Sequence, residues 1–316
     1  MALGGSFGDL YIRQFKDILV HEMQKKESIL RGLVTVESVM GERTYFPKWG
    51  KASSYEITGR NQEVDLGTQT NERRFVTPRP IESTMSIDML DVIRYASSPQ
   101  PEIVEAIAME LNRQIDLNLI GSMAGTANRE LDGASSNVVF DSNNTIAVNT
   151  NTFSATAILN DTGLHEGKLI NMKRRLMTNY AAEAGDELFV IAPAIQLAGL
   201  HQRVMVNPGA GFFQKNLPDI HSSRLDRGLD GFLGIRYFHF EDTGVDASSD
   251  QYVYMFIRKA VKLGIWQDVN FRIFDVPTKK GTPTYVKANM AIGSTRMWEE
   301  GVMRCLCDPT PLYALS

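Results

Sequence analysis

The sequence predicts an α+β fold, and three observations lead there. Stretches with helical periodicity and stretches with strand alternation are segregated along the chain, without the regular strand–helix alternation of a doubly wound sheet. One long apolar stripe at helical spacing (Val104, Ile107, Ala108, Leu111, Ile115, Leu119) marks a single dominant helix. The last third is almost entirely strand pattern, from "FLGIRYFHFED" to "GVMRCLC".

Composition narrows the function classes. The chain has 316 residues, 43% hydrophobic and 22% charged, with a formal net charge of -4. That length can bury a substantial core, and that balance creates no global field attracting nucleic acid. A basic leader followed by an apolar stretch is missing from "MALGGSFGD", and no run approaches the roughly 18 apolar residues of a membrane span. Neither secretion nor a membrane partner is expected. The two cysteines, Cys305 and Cys307, are expected on one face of a strand as buried thiols, about 7 Å apart along it and poorly placed for a disulfide.

In chain order, residues 7–30 read as an amphipathic arm, partly helical, whose stripe of Phe7, Tyr11, Phe15, Ile18, Leu19 and Met23 needs a surface to lie on. "RTYFPKW" and "RRFVTPRPIESTMSID" read as extended segments. The polar stretch between them is too poor in large apolar residues to bury itself, and reads as a long hairpin or loop. Pro78 and Pro80, lacking amide hydrogens, argue against a central strand position. The dominant helix opens near Pro99 and Pro101, capped by Ser97 or Ser98, and runs to about Ala124, with Glu105, Asn112, Arg113 and Asp116 on its polar side. Residues 125–163 read as loop or weak strand at a lobe boundary. A helix follows at about 164–181, its Lys173-Arg174-Arg175 run expected to be a solvated face. "ELFVIAP" is a buried strand, Pro193 opens a helix to about Val204, and six strands are expected after it: "FLGIRYFHFED", "QYVYMFI", "AVKLGIW", "VNFRIFDV", "TYVKANMAI" and "GVMRCLC".

Chemistry-bearing patterns fail on spacing. In "TGLHEGKLI", Gly163 and Gly167 enclose three residues where a phosphate loop needs four, and Leu169 stands where a magnesium-binding hydroxyl is required. "NPGAGFF" follows a helix, not a strand, so it lacks the dinucleotide-fold context. The histidines, His21, His165, His201, His221 and His239, have no ligand spacing. His239 and Glu241 share a strand face and form the best candidate pair, with a structural role expected for both. The adjacent acids Glu299-Glu300 and Glu241-Asp242 are expected in solvated turns. Catalytic, cofactor-binding and metal-ligating residues are therefore all expected to be none, and the chain is expected not to be an enzyme.

The order of parts is distinctive: an amphipathic arm, a polar hairpin, a long helix opening at "SSPQPEIVEAIAMELNRQIDLNLIGSMAG", a mixed lobe, then long strands closing with "ANMAIGSTRMWEEGVMRCLCDP". This resembles the HK97-like major capsid proteins of tailed bacteriophages. The strand running into Gly293-Ser294-Thr295-Arg296, followed by Glu300-Gly301-Val302 and Asp308-Pro309, is similar to the family's closing segment.

The resemblance implies an N-terminal arm over 1–42, an E-loop with flanking strands over 43–88, a P-domain with a spine helix over 89–160 and 256–300, and an A-domain over 161–255 and 301–316. It implies self-assembly into hexamers and pentamers of an icosahedral phage head enclosing double-stranded DNA, located in the virion after assembly in the host cytoplasm. Implied partners are copies of itself, a separate scaffolding protein, since methionine directly precedes the arm, a portal, decoration proteins, and packaged DNA held by weak non-specific contact. Some relatives crosslink an E-loop lysine; Lys48 and Lys51 lie in that region, but nothing in the sequence identifies a partner, and no crosslink is expected. The alternatives are an encapsulin-like nanocompartment shell, a phage tail structural protein, and an enzyme with a dispersed site around His239, Glu241 and Asp242.

Overall fold

The computed structural model describes residues 27–56, 58–60, 63, 67, 69, 71–88, 100–131, 133–149, 162–183, 185–206, 232–278 and 282–309. The arm expected over residues 7–30 lies outside them except for its last four residues, as do the capping serines 97 and 98.

The first described strand, β1 (Thr35–Ser38), follows a 3-10 turn at Leu30–Gly32. Then come β2 (Thr44–Trp49), β3 (Asn71–Val76), β4 (Arg79–Ile87), helix α1 (Gln100–Ala124), β5 (Ala127–Leu131), β6 (Ala134–Val138), β7 (Thr145–Ile146), α2 (Glu166–Thr178), β8 (Leu188–Ala192), α3 (Ala194–Val206), β9 (Ile235–His239), β10 (Gln251–Ile257), β11 (Val261–Asp275), β12 (Thr284–Arg296) and β13 (Val302–Cys307). The strands form sheets of order β1-β11-β12-β4, β7-β13-β10-β8-β9 and β2-β3-β5-β6.

The chain divides into two compact units. One holds Pro80–Arg113 and Gln267–Met290. In it Ile87, Ile107, Met109, Leu111, Val286, Ala288 and Met290 are buried, and Lys287 Nζ pairs with Glu82 Oε2 at 2.6 Å. β4 carries Pro80 at a sheet edge, where a missing amide donor costs no ladder bond.

The larger unit holds Ser28–Arg79, Gln114–Trp266 and Ala291–Ser316. Its five-stranded sheet is the best-buried element, with every residue of β8 buried and β10 paired antiparallel to both β8 and β13. β2 and β3 pair antiparallel from Thr44↔Val76 to Trp49↔Asn71, the root of the expected hairpin, and the described residues between 51 and 60 are exposed.

Three expectations need correction and one is sharpened. β11 is one 15-residue strand where two were expected: the polar Gln267-Asp268 step contains no glycine or proline, so pairing continues through it. The weak-strand alternative holds for Ala127–Leu131 and Ala134–Val138, which pair antiparallel and join the β2–β3 sheet through Arg73↔Glu130 and Arg74↔Arg129. Asp116, expected on the polar side of α1, is buried: its carboxylate accepts from Ser28 Oγ (2.6 Å) and from the backbone N–H of Ile29 (3.2 Å) and Leu30 (3.1 Å). It thereby caps the 3-10 turn, satisfying donors that the turn itself leaves open. Finally, the basic run on α2 is not simply solvated, because Lys173 Nζ donates to Leu233 O (2.6 Å) and Arg175 to Thr145 O (3.2 Å).

Candidate assembly surfaces

The closing "GSTR" is a packing junction of the larger unit. A helix C-terminus leaves carbonyls without intrahelical donors, and α1 ends against Gly125, where a Cβ would stand 2.3 Å from Gly121 O. Arg296, fully buried at the end of β12, supplies the missing donors: NH1 lies 2.8 Å from both Met123 O and Gly125 O. A cation is thus placed at the negative end of the helix dipole. Two residues earlier, Ser294 Oγ donates to Asn118 O at 3.0 Å. A Cβ on Gly293 would come within 2.4 Å of Val76 Cγ1 and 2.8 Å of Thr77 O, so β12 passes β3 at backbone distance. Gly301 meets Ala260 in the same way, at 2.6 Å.

The junction extends into an ion network. Arg296 Nε donates to Glu299 Oε2 (2.7 Å), and Glu299 Oε1 lies 3.2 Å from NH2 of Arg74, itself buried. Glu72 Oε1 stands 3.5 Å from Arg74 and 3.0 Å from Lys48 Nζ, and Glu72 Oε2 is 3.4 Å from Arg129. Burial alone would raise the Glu72 pKa, but the Lys48 hydrogen bond and the attraction of Lys48, Arg74 and Arg129 outweigh it and hold the carboxyl below its ordinary value. Glu299, expected in a solvated turn, is instead a shared counter-ion. Sequence reasoning missed Arg74 altogether, since an arginine inside "NERRF" looks like any exposed strand residue; the three-residue spacing of Arg296 and Glu299 is the one signal that could have found part of the network.

Beside this network the surface changes character. Trp49, at the hairpin root, is 67% exposed, Tyr180 is 82% exposed and Trp298 is 38% exposed. They line one groove of about 440 Å³ with Lys48, Lys51, Lys259, Glu183, Asp186 and Glu300. Lys48 Nζ sits 5.0 Å from the Trp298 ring centroid and Lys51 Nζ 5.9 Å from that of Tyr180. Tyr180 has φ of 53°, a left-handed conformation unfavourable for a bulky side chain. The groove thus gathers three large aromatic side chains at the surface, one of them in a strained backbone conformation.

The sequence-singled residues do other work. His239 Nε2 and Glu241 Oε2 are 3.0 Å apart, both exposed, and Glu241 also accepts from the Ala194 N–H at the start of α3. That backbone bond, outweighing partial burial and joined by His239, lowers the Glu241 pKa; the pair caps a helix. Lys168, from the failed phosphate loop, is buried with Nζ 3.0 Å from Thr162 O and from Leu306 O, so its charge serves backbone carbonyls. His165 caps α2 through Nδ1. Cys305 and Cys307 are free buried thiols with sulfurs 3.9 Å apart, and burial pushes the Cys307 thiol up. Among the described residues no cluster of three His, Cys, Asp or Glu could hold a metal ion, and no helix is long and apolar enough to cross a membrane. His21 and His221 lie outside the described residues.

The whole fold has known counterparts. It matches the capsid of Ralstonia phage GP4 with TM-score 0.70 at 11% identity, covering 98% of this chain and 99% of that one. The capsid of cyanophage Pam1 matches with TM-score 0.67 at 13% identity, over 97% and 99% of the two chains, and that of Myoviridae phage XM1 with TM-score 0.62 at 13% identity, over 95% and 97%. No curated protein shows significant similarity to the chain. These likenesses establish the HK97-like fold, an α+β fold as expected. Since the sequence also matches the phage capsid protein family across residues 8–309, the chain belongs to that family: it is a virion shell protein.

Proposed function

We propose that the subunit is completed by its own copies at the hairpin root, and that this contact helps to join subunits into hexamers and pentamers of a closed shell. The exposed aromatic groove of Trp49, Tyr180 and Trp298 carries this reading. A chain able to bury Arg74 and Arg296 has ample means to bury three aromatic rings, and leaves them open where a neighbouring copy can cover them. In this scheme residues 1–42 are the arm, 43–88 the E-loop, 89–160 and 256–300 the P-domain, and 161–255 and 301–316 the A-domain. The β2–β3 hairpin and the 25-residue α1 supply elements suited to an E-loop and a spine.

The partners in this scheme are copies of the same chain, a separate scaffolding protein, a portal, decoration proteins, and DNA touched weakly. The chain carries no catalysis: the pair nearest to acid–base geometry, His239 and Glu241, is engaged in capping α3.

Expression of the chain with and without a co-expressed candidate scaffolding protein, followed by negative-stain electron microscopy, tests the scheme. Closed, uniform particles are expected. A small folded species persisting under both conditions would overturn it.

A further inference from the structure

β11 runs on past the strand that covers its outer side. β1 accompanies it only from Thr35↔Lys262 to Ser38↔Ile265, and Gly41, with φ of 89°, then turns the chain away. The rest of β11, "QDVNFRIFD" (Gln267–Asp275), has β12 on one side and no described strand on the other. Two bonds fix which backbone groups face that open side. Ile265 O accepts from Val39 N–H on the β1 side (3.0 Å), and Val276 N–H donates to Pro283 O on the β12 side (3.1 Å). Strand alternation therefore aims the N–H and C=O of Gln267, Val269, Phe271 and Ile273 outward. Among the described residues, Val269 N–H meets only a side chain, the neighbouring Asp268 carboxylate at 2.9 Å.

Natural edges are blunted by lysine, proline or a bulge. This stretch holds neither lysine nor proline, and it exposes Ile273 and Phe274 by 51% and 44%. Arg272 is exposed and makes no hydrogen bond or ion pair with any described residue.

We infer that this edge pairs antiparallel with the same edge of a second copy, about a two-fold axis at Asn270. Charge selects the register. Centring on Asn270 sets Asp268 opposite the second copy's Arg272, and the reverse, while Val269 faces Phe271 and every outward N–H and C=O from Gln267 to Ile273 enters the ladder. The Asp268 carboxylate thereby exchanges its own backbone for a guanidinium. Centring on Arg272 opposes like charges, and centring on Phe271 sets Asp268 against Phe274. The stretch paired about Asn270 also stops short of Ile265, where β1 takes over the edge. The inference rests on the reading that copies complete one another, but none of these residues lines the aromatic groove.

Asn270→Cys tests the axis. Directly opposite residues of a non-hydrogen-bonded pair bring their Cα atoms to about 4.5 Å, within reach of a disulfide, and the native Cys305 and Cys307 are buried. The unassembled full-length chain is oxidised in air with copper phenanthroline, which removes one proton and one electron from each thiol, and is read on a non-reducing gel. A covalent dimer is expected from Asn270→Cys, and about tenfold less from Phe274→Cys, whose two copies stand about 26 Å apart along the strands. Adding Arg272→Asp to Asn270→Cys is expected to lower the dimer yield about tenfold, and adding Asp268→Arg as well to restore it. Trp49→Ala is expected to leave the yield unchanged, so failure of the groove to join subunits is read separately. Equal dimer from both thiol substitutions, or a yield indifferent to the charge exchange, would overturn the pairing. So would an Asn270→Cys chain that stays monomeric, whether another segment of the chain shields its thiol from reagents or leaves it open.

Discussion

Arg296 and Trp298 stand two residues apart, and the regions they belong to behave in opposite ways. Around Arg296 the chain provides its own partners: helix carbonyls, Glu299, and glycines where backbones must touch. Around Trp298 it provides aromatic surface and leaves it uncovered. Ionic groups enclosed within one chain are costly to desolvate and strongly destabilising once a partner is removed, so the first region governs whether the subunit folds. Apolar rings left in water contribute little until something covers them, so the second governs what the folded subunit does. A building block needs both kinds of surface, and here they are separated by a single turn of chain.

The comparison can be broken first at the junction. Arg296→Ala leaves the end of α1 without its donor and Glu299 with Arg74 alone, and is expected to destabilise the unassembled subunit by about 3–5 kcal/mol, measured by urea denaturation. A loss within error would mean that the junction is not what holds β12 to α1. Gly293→Ala places a methyl against Val76 and the Thr77 carbonyl, and about 1–3 kcal/mol should be lost by the same measurement.

A smaller effect follows from Glu72. Its folded-state pKa is depressed, so its contribution is present above the unfolded carboxyl pKa and is lost as pH falls through the folded value. Stability of the wild-type subunit should therefore decline on acidification more steeply than that of Glu72→Gln; parallel curves would remove Glu72 from the network. The smallest effect on folding belongs to the groove. Trp49→Ala should change subunit stability by no more than about 0.5 kcal/mol, yet raise the protein concentration needed for assembly by about tenfold, as loss of a buried interface aromatic does. Light scattering against concentration reads the second quantity.

The sequence showed the self-sufficient framework well and the polar details poorly. The α1 stripe, the buried "LFVIA" strand and the edge position of Pro80 follow from periodicity and from a missing amide hydrogen, which are local properties. The burial of Arg74, Asp116 and Glu299 did not stand out, because the Arg74–Glu299 and Asp116–Ser28 bonds span 225 and 88 residues and a charged residue has no local sign of being buried. Expecting Asp116 on the solvent face was the error that helical periodicity invites, since a rule for apolar side chains says nothing about a carboxylate that caps a distant turn. The groove was visible only in part: the polar hairpin suggested a missing neighbour, whereas Tyr180 fell inside a helix expected to reach about residue 181 and instead follows the helix end in a left-handed, exposed conformation. The glycines of "GSTR" and "EEGV" looked like signature residues and proved to be points of close packing, Gly293 against Val76 and the Thr77 carbonyl and Gly301 against the Ala260 side chain.

Sedimentation velocity of the double variant Trp49→Ala/Tyr180→Ala, at a concentration where the wild-type chain forms shells, tests the separation of folding from assembly most directly. The expected result is a small, fully folded species with native circular dichroism and no shell-sized boundary. Particles sedimenting like the wild type would contradict the account, because the surface left uncovered by the fold would then have no part in joining one subunit to the next.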